Sequence, residues 1–259
     1  MNRNKKIEMI KNKDNKPKNK VEKIAKMKET EHNNDNDDRD NKKAREKDEE
    51  SSIRLSLKIG GITGLPKDLS SAPPEIHLSS KFHKKSYEAL KRAKASGNEW
   101  GYFIHSDEEG HLMPGKLKEG TPHEWISLEE YSKAQQQDET IQGLMHTHLE
   151  ERTVFSPSNI GVFLAANDSV YKCMNLQGNY LIMLRTERTD PPREGIFREV
   201  VNAYAEVARE KASQYIIKAD LDEEEARKKS LFEAMREICK RYNIALFMGG
   251  STKAAKKVV

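Results

Sequence analysis

GLMHTHLEERTVFSPSN, residues 143–159, sets the end of an apolar strand against the start of a helix. Ile141–Met145 is a short apolar run, and His146 and His148 close it. Residues two apart in a strand point to the same face, about 6.6 Å from one another along it. From that spacing two imidazoles can converge on one cation, because a zinc–nitrogen bond is roughly 2.0–2.1 Å. Seven residues of loop follow, and Ser156-Pro157-Ser158-Asn159 opens a helix. Ser156 is a natural N-cap, and Pro157 suits the first helical position, where a missing N–H does no harm. Asn159 falls at the third helical position, so its side chain turns back toward the cap. Two nitrogens, a hydroxyl and an amide carbonyl are thus offered to one spot.

Working outward, Lys84–Ser96 has Tyr87, Leu90, Ala93 and Lys94 on helical spacing, with Gly97 as a stop. Glu99 then opens the strand Trp100–Ile104. Asp107–Gly110 is a turn, and His111–Lys118 reads as a return strand. Ser127-Leu128-Glu129-Glu130 has capping-box spacing, which predicts a short helix to about Gln137. Beyond the Pro157–Asn167 helix, Val170–Asn175 and Tyr180–Arg185 form a hairpin around Gln177-Gly178-Asn179.

His-x-His, seven residues, Ser-x-x-(Asn) and an upstream Glu99 at a helix-to-strand junction together resemble the signature of the JAMM/MPN (JAB) metallopeptidases, over roughly residues 75–186. The resemblance implies an α/β (α+β) fold, a JAB/MPN-like mixed sheet flanked by helices. It also implies a zinc ion on His146, His148 and Asn159, with Glu99 as the base for water and Ser156 donating to the developing oxyanion. A protein or peptide substrate follows, cut at a peptide or isopeptide bond, with a ubiquitin-like conjugate as one class. Two positions depart from the family pattern: Asn159 stands where Asp is usual, and Leu149 where Pro is usual. These leave a second reading open, a catalytically silent MPN-type scaffold.

Composition bounds the rest. The chain has 259 residues, 35% hydrophobic and 34% charged, with net charge +4. Met1–Lys28 carries eleven Lys/Arg against three acids, and Glu29–Ser52 five against ten. No aromatic residue lies in this stretch, so residues 1–52 are expected to be a disordered charged tail. Its basic part, residues 1–28, has the charge for a weak nucleic-acid contact, which leaves a third reading open, a nucleic-acid-associated protein acting through the basic tail. Two cysteines, Cys173 and Cys239, are too few for a disulfide framework or a thiolate zinc site. Cys173 reads as a small core residue. His105, His111 and His123 lack ligand spacing and read as surface residues. No apolar segment follows the basic opening residues and no run reaches the length of a membrane span, so no membrane partner and a cytoplasmic location are expected. Nothing in the pattern selects an oligomeric state.

Order is expected from Ile53, where Ile53, Leu55, Leu57 and Ile59 alternate with polar residues, and Ile76–Ser79 is a candidate short strand. The domain is expected over 53–190, with Pro191-Pro192 as its boundary and 191–259 as a C-terminal helical extension packed on it. There Phe197, Val200, Val201, Tyr204, Val207 and Ala208 form one amphipathic stripe, and a second helix starts at Asp222. Ile244–Met248 reads as a closing strand or an apolar tail, and Ser251–Val259 is expected to fray.

Overall fold

The computed structural model describes residues 58–59, 62–150, 153–219 and 221–259. The charged tail, its basic arm and residues 53–57 of the first expected strand lie outside them. A two-residue pair, β1 (Lys58–Ile59) with β2 (Ile62–Thr63), precedes the main sheet. The sheet is mixed and nine-stranded among the described residues. Its strands are β3 (Glu75–His77), β4 (Trp100–Ser106), β5 (Leu112–Pro114), β6 (Lys118–Glu119), β7 (Ile141–His148), β8 (Val170–Asn175), β9 (Tyr180–Arg185), β10 (Ile244–Gly249) and β11 (Ala254–Lys257). They lie in the order β3-β11-β10-β9-β8-β7-β4-β5, with β6 also on β4. Among the described residues five helices flank it: α1 (Ser80–Ser96), α2 (Leu128–Gln137), α3 (Pro157–Ala165), α4 (Ile196–Ala219) and α5 (Glu223–Arg241). None of them is long and apolar enough to cross a membrane.

Alternation along the strands feeds two cores. Leu144, Tyr171, Cys173, Leu181, Met183 and Leu246 pack with residues of α3, α4 and α5. Their neighbours Met145, Met174, Ile182 and Phe247 pack with Phe82, Ala89 and Leu90 of α1 on the opposite face. Both faces are covered, so β8 and β9 are buried at every position, as expected for strands in the middle of a sandwich.

Most elements form where the sequence places them, and the departures have local causes. Helix α1 starts at Ser80 because Ser79 caps it, its hydroxyl accepting the Phe82 N–H at 3.3 Å. The expected strand His111–Lys118 is split into β5 and β6 at Pro114-Gly115, since proline has no N–H to continue a ladder. The C-terminus corrects two expectations. Residues 251–259 do not simply fray: Ala254–Lys257 is a strand between β10 and β3. Val258 N–H donates to the Leu246 carbonyl at 2.7 Å, holding the chain end on β10. Residues 191–259 are therefore more than a helical extension, because they supply two inner strands of the sheet that carries the site.

Under α1 lies a buried lysine. Lys172 is 2% exposed, and its ammonium donates to Ser86 Oγ at 2.6 Å and sits 4.6 Å from the centre of the Tyr180 ring. Ser86 spends its own proton on the Phe82 carbonyl at 2.9 Å. Its two lone pairs then take Lys172 and the Tyr102 hydroxyl, which lies 2.9 Å away. Burial pulls the Lys172 ammonium down to about 7.

An unfolded lysine keeps its proton to about pH 10.4, so between about pH 7 and 10 the unfolded chain binds a proton that the folded one has released. Stability contributed by this group rises with pH across that window, by up to several kcal/mol. Replacing Lys172→Met should stabilise the protein at about pH 6 and lose that advantage toward about pH 9.5, read by denaturant unfolding at the two values.

Candidate functional site

The site is built around β7. It runs antiparallel to β4 on one side, with Gly101 opposite His146, and parallel to β8 on the other, with His146 beside Cys173 and His148 beside Asn175. A parallel pair needs a crossover, and α3 provides it, so its N-terminus follows β7 after a short loop. Two glycines permit the close packing. A side chain on Gly143 (φ +151°) would run into the Val170 carbonyl, and one on Gly101 into the Trp125 indole and the Met145 carbonyl.

His146 and His148 point to the same side, and their Nε2 atoms lie 2.8 Å apart. Two nitrogens bound to one tetrahedral zinc at roughly 2.0–2.1 Å would be ~3.3 Å apart, so the pair needs only a small opening to hold an ion. His146 is 5% exposed, and burial and the neighbouring His148 push it well below the usual histidine range. Burial takes His148 down to about 4 against the pull of the Glu150 carboxylate. Both rings are therefore neutral at pH 7, the form that ligates a metal.

Glu99 precedes β4 on the same face. It is 9% exposed, and burial lifts its carboxyl to about 8, against a hydrogen bond from the Trp125 backbone and with help from the charge on Glu124. Its own backbone leaves β7: Glu99 N–H donates to the Thr121 carbonyl at 2.9 Å and its carbonyl accepts from Gly120 at 2.8 Å. The change of partner is managed by Thr147, which sequence reasoning passed over. Thr147 is fully buried between the two histidines, on the opposite face, and its Oγ1 accepts the Trp100 N–H at 2.9 Å. Period-two alternation in His-Thr-His was the available signal, since it turns the middle side chain away from the rings.

Ser156 caps α3 as expected. Its Oγ accepts the Asn159 N–H at 3.1 Å, and Asn159 Oδ1 accepts the Ser156 N–H at 3.0 Å, closing a capping box. That bond also fixes the amide orientation, because the reverse would set N–H against N–H. Asn159 thus has one remaining lone pair on Oδ1 to offer a cation. Ser156 donates its hydroxyl proton to no protein acceptor among the described residues.

All five residues expected at the site, Glu99, His146, His148, Ser156 and Asn159, line one cleft of about 650 Å³. Its walls come from the segment Pro122–Leu128, the loop ahead of α3, and α4 and α5. Tyr131 on its floor is held by Asp168, whose Oδ1 accepts from the Tyr131 hydroxyl at 2.6 Å and from Gln135 at 2.9 Å. Among the described residues no group of three or more His, Cys, Asp or Glu side chains converges as a metal site. Of the ligands expected from the sequence, the histidines meet as a pair and the third, Asn159, is an amide already engaged in a cap. Cys173 is buried and its thiol is pushed up to about 12 by burial, as a core residue. His105, His111 and His123 are not part of the pair; His105 and His111 sit beside Asp138 and Asp107.

No protein-family model and no curated protein matches this chain.

Thr147→Val keeps the shape but strands a buried N–H at Trp100, and should cost ~1–3 kcal/mol. Thr147→Ser keeps the acceptor and should cost less, as measured by denaturant unfolding. Ser156→Ala should cost about 1 kcal/mol by loss of the cap, read in the same way.

Proposed function

We propose that this chain is a zinc-dependent metallopeptidase of JAMM type, hydrolysing a peptide or isopeptide bond in a protein substrate. The observation that carries the reading is the convergence of His146 Nε2 and His148 Nε2 at 2.8 Å, in a cleft that also holds the buried Glu99. The residues fit a divalent ion: His146 and His148 would hold it, and Asn159 would add the free lone pair of Oδ1. Zinc supplies Lewis acidity, bringing the pKa of water down to about 7.

The chain's own residues do the rest. In its ionised form Glu99 takes a proton from the attacking water and returns it to the leaving amine; burial, which lifts its carboxyl to about 8, makes that form a stronger base than a free carboxylate. Ser156 has a free hydroxyl proton and sits at the N-terminus of α3, so the hydroxyl and the helix dipole both favour an oxyanion formed beside them. Buried Trp125 and Tyr131 shield the same cleft from bulk water.

The alternative is a silent scaffold with the same fold. The Ser156–Asn159 box favours it, because Asn159 is neutral and its carbonyl already has a partner.

Purified chain should bind about one zinc, by metal analysis, and His146→Ala should weaken that binding. Glu99→Gln should keep the metal and lose about 10²–10⁴-fold in hydrolysis of fluorogenic peptides or isopeptide-linked protein dimers. A native chain that takes up no zinc overturns the reading. If uptake and hydrolysis appear only with Asn159→Asp, the native protein is the scaffold.

A further inference from the structure

Among the described residues the cleft is lined by one guanidinium, that of Arg227, and its helix explains why it is there. The first turns of α5 place Glu223, Glu224 and Glu225 four residues ahead of Arg227, Lys228 and Lys229. This order, acid before base at i,i+4, is the favourable one for pairing on a helix. Two of the three pairs form: Lys228 with Glu224, and Lys229 with Glu225 at 3.0 Å. The third does not. Among the described residues Glu223 and Arg227 make no ion pair, and the Arg227 guanidinium has no side-chain hydrogen bond. Arg227 lines the cleft instead, one turn from Leu231, which lines it too. The lining mixes polar and apolar groups: Ile126, Leu128, Val154, Val162 and Leu231 leave apolar surface exposed along it, over the buried rings of the core, and its carboxylates include Glu99 and Glu124.

We infer that Arg227 recognises a carboxylate of the ligand, and that the cleft takes a peptide with a bulky apolar side chain beside that carboxylate. A guanidinium offers a planar fork of donors that matches a carboxylate in two parallel bonds. The apolar wall buries the neighbouring side chain, and about 650 Å³ lies in the range of sites that enclose a small ligand. The carboxylate is either a chain terminus or an acidic side chain. Calling this peptide the substrate rests on the peptidase reading; its binding does not.

The test uses the full chain stripped of metal with a chelator, so that binding is read without turnover. Fluorescein-labelled hexapeptides are compared by anisotropy: Phe-Glu with an amidated end, Phe at a free C-terminus, and Phe-Gln with an amidated end. One of the two carboxylate peptides should bind the native chain about two- to five-fold more tightly than Phe-Gln, the range of an exposed ion pair, and which one does so identifies the source. Arg227→Gln should abolish the difference, and Arg227→Glu should turn the preference toward Phe-Lys. Replacing Phe by Ala should weaken binding throughout. No measurable binding to the native chain, equal binding of all three peptides, or a preference that survives Arg227→Gln overturns the inference. Absence of hydrolysis in the metal-loaded protein bears on the peptidase reading alone.

Discussion

The direction of β7 is the constraint on which the site depends. It is antiparallel to β4 and parallel to β8, the single parallel pairing in the main sheet among the described residues. A parallel neighbour cannot be reached by a tight turn, so the chain must leave β7 at its C-terminal end, cross over through a helix, and return to start β8. That end of β7 is where the histidines stand. The crossover brings the capped N-terminus of α3 into the same cleft, and the antiparallel partner brings Glu99. Crevices at the carboxyl ends of strands, where neighbours change direction, are where ligands bind in open α/β sheets.

The local parts of this arrangement are legible in the sequence. Ser127 with Glu130, and Ser156 with Asn159, are legible because a capping box is a relation between residues three apart. The two strands of the β8–β9 hairpin are legible because apolar runs stop at turn residues. The C-terminal strands were harder. Ala254–Lys257 has two lysines in four residues and no strong pattern, and it becomes a strand because β3 and β10 offer it ladders on both sides. Pairing with a partner almost two hundred residues away leaves no mark in the local sequence. Arg227 is hidden in the sequence for a similar reason: within α5 it looks like one member of a salt-bridged series, and only the packing of α5 against the cleft separates it from Lys228 and Lys229.

Thr147 illustrates how a site residue can act at a distance of one strand. A regular ladder would continue β4 along β7, leaving Glu99 opposite His148 in a continuous sheet. Instead the Trp100 N–H takes a side-chain acceptor, and Glu99 gives its own backbone bonds to Gly120 and Thr121. The carboxylate is thereby attached to the Pro122–Leu128 wall as much as to the sheet. Trp125 reinforces this, since its backbone bonds to the Glu99 carboxyl and its indole lies over Gly101.

Asn159 is where the demands of the helix and of the proposed cation would meet in one side chain. A helix start has unpaired N–H groups, and the Asn159 carbonyl satisfies one of them at Ser156. An aspartate could serve that N–H with one oxygen and keep a second, charged oxygen for an ion; an asparagine holds an NH₂ in that second place, which can only donate. The cap therefore works with either residue, while a cation is served better by the acid. Burial works the other way on the remaining groups: it keeps both imidazoles neutral and lifts the Glu99 carboxyl to about 8, so that these three side chains add little charge around the pair. One Nε2 carries the proton of the 2.8 Å contact, so the proposed ion would require that ring to move its proton to Nδ1, while neither ring would have to give up a net charge.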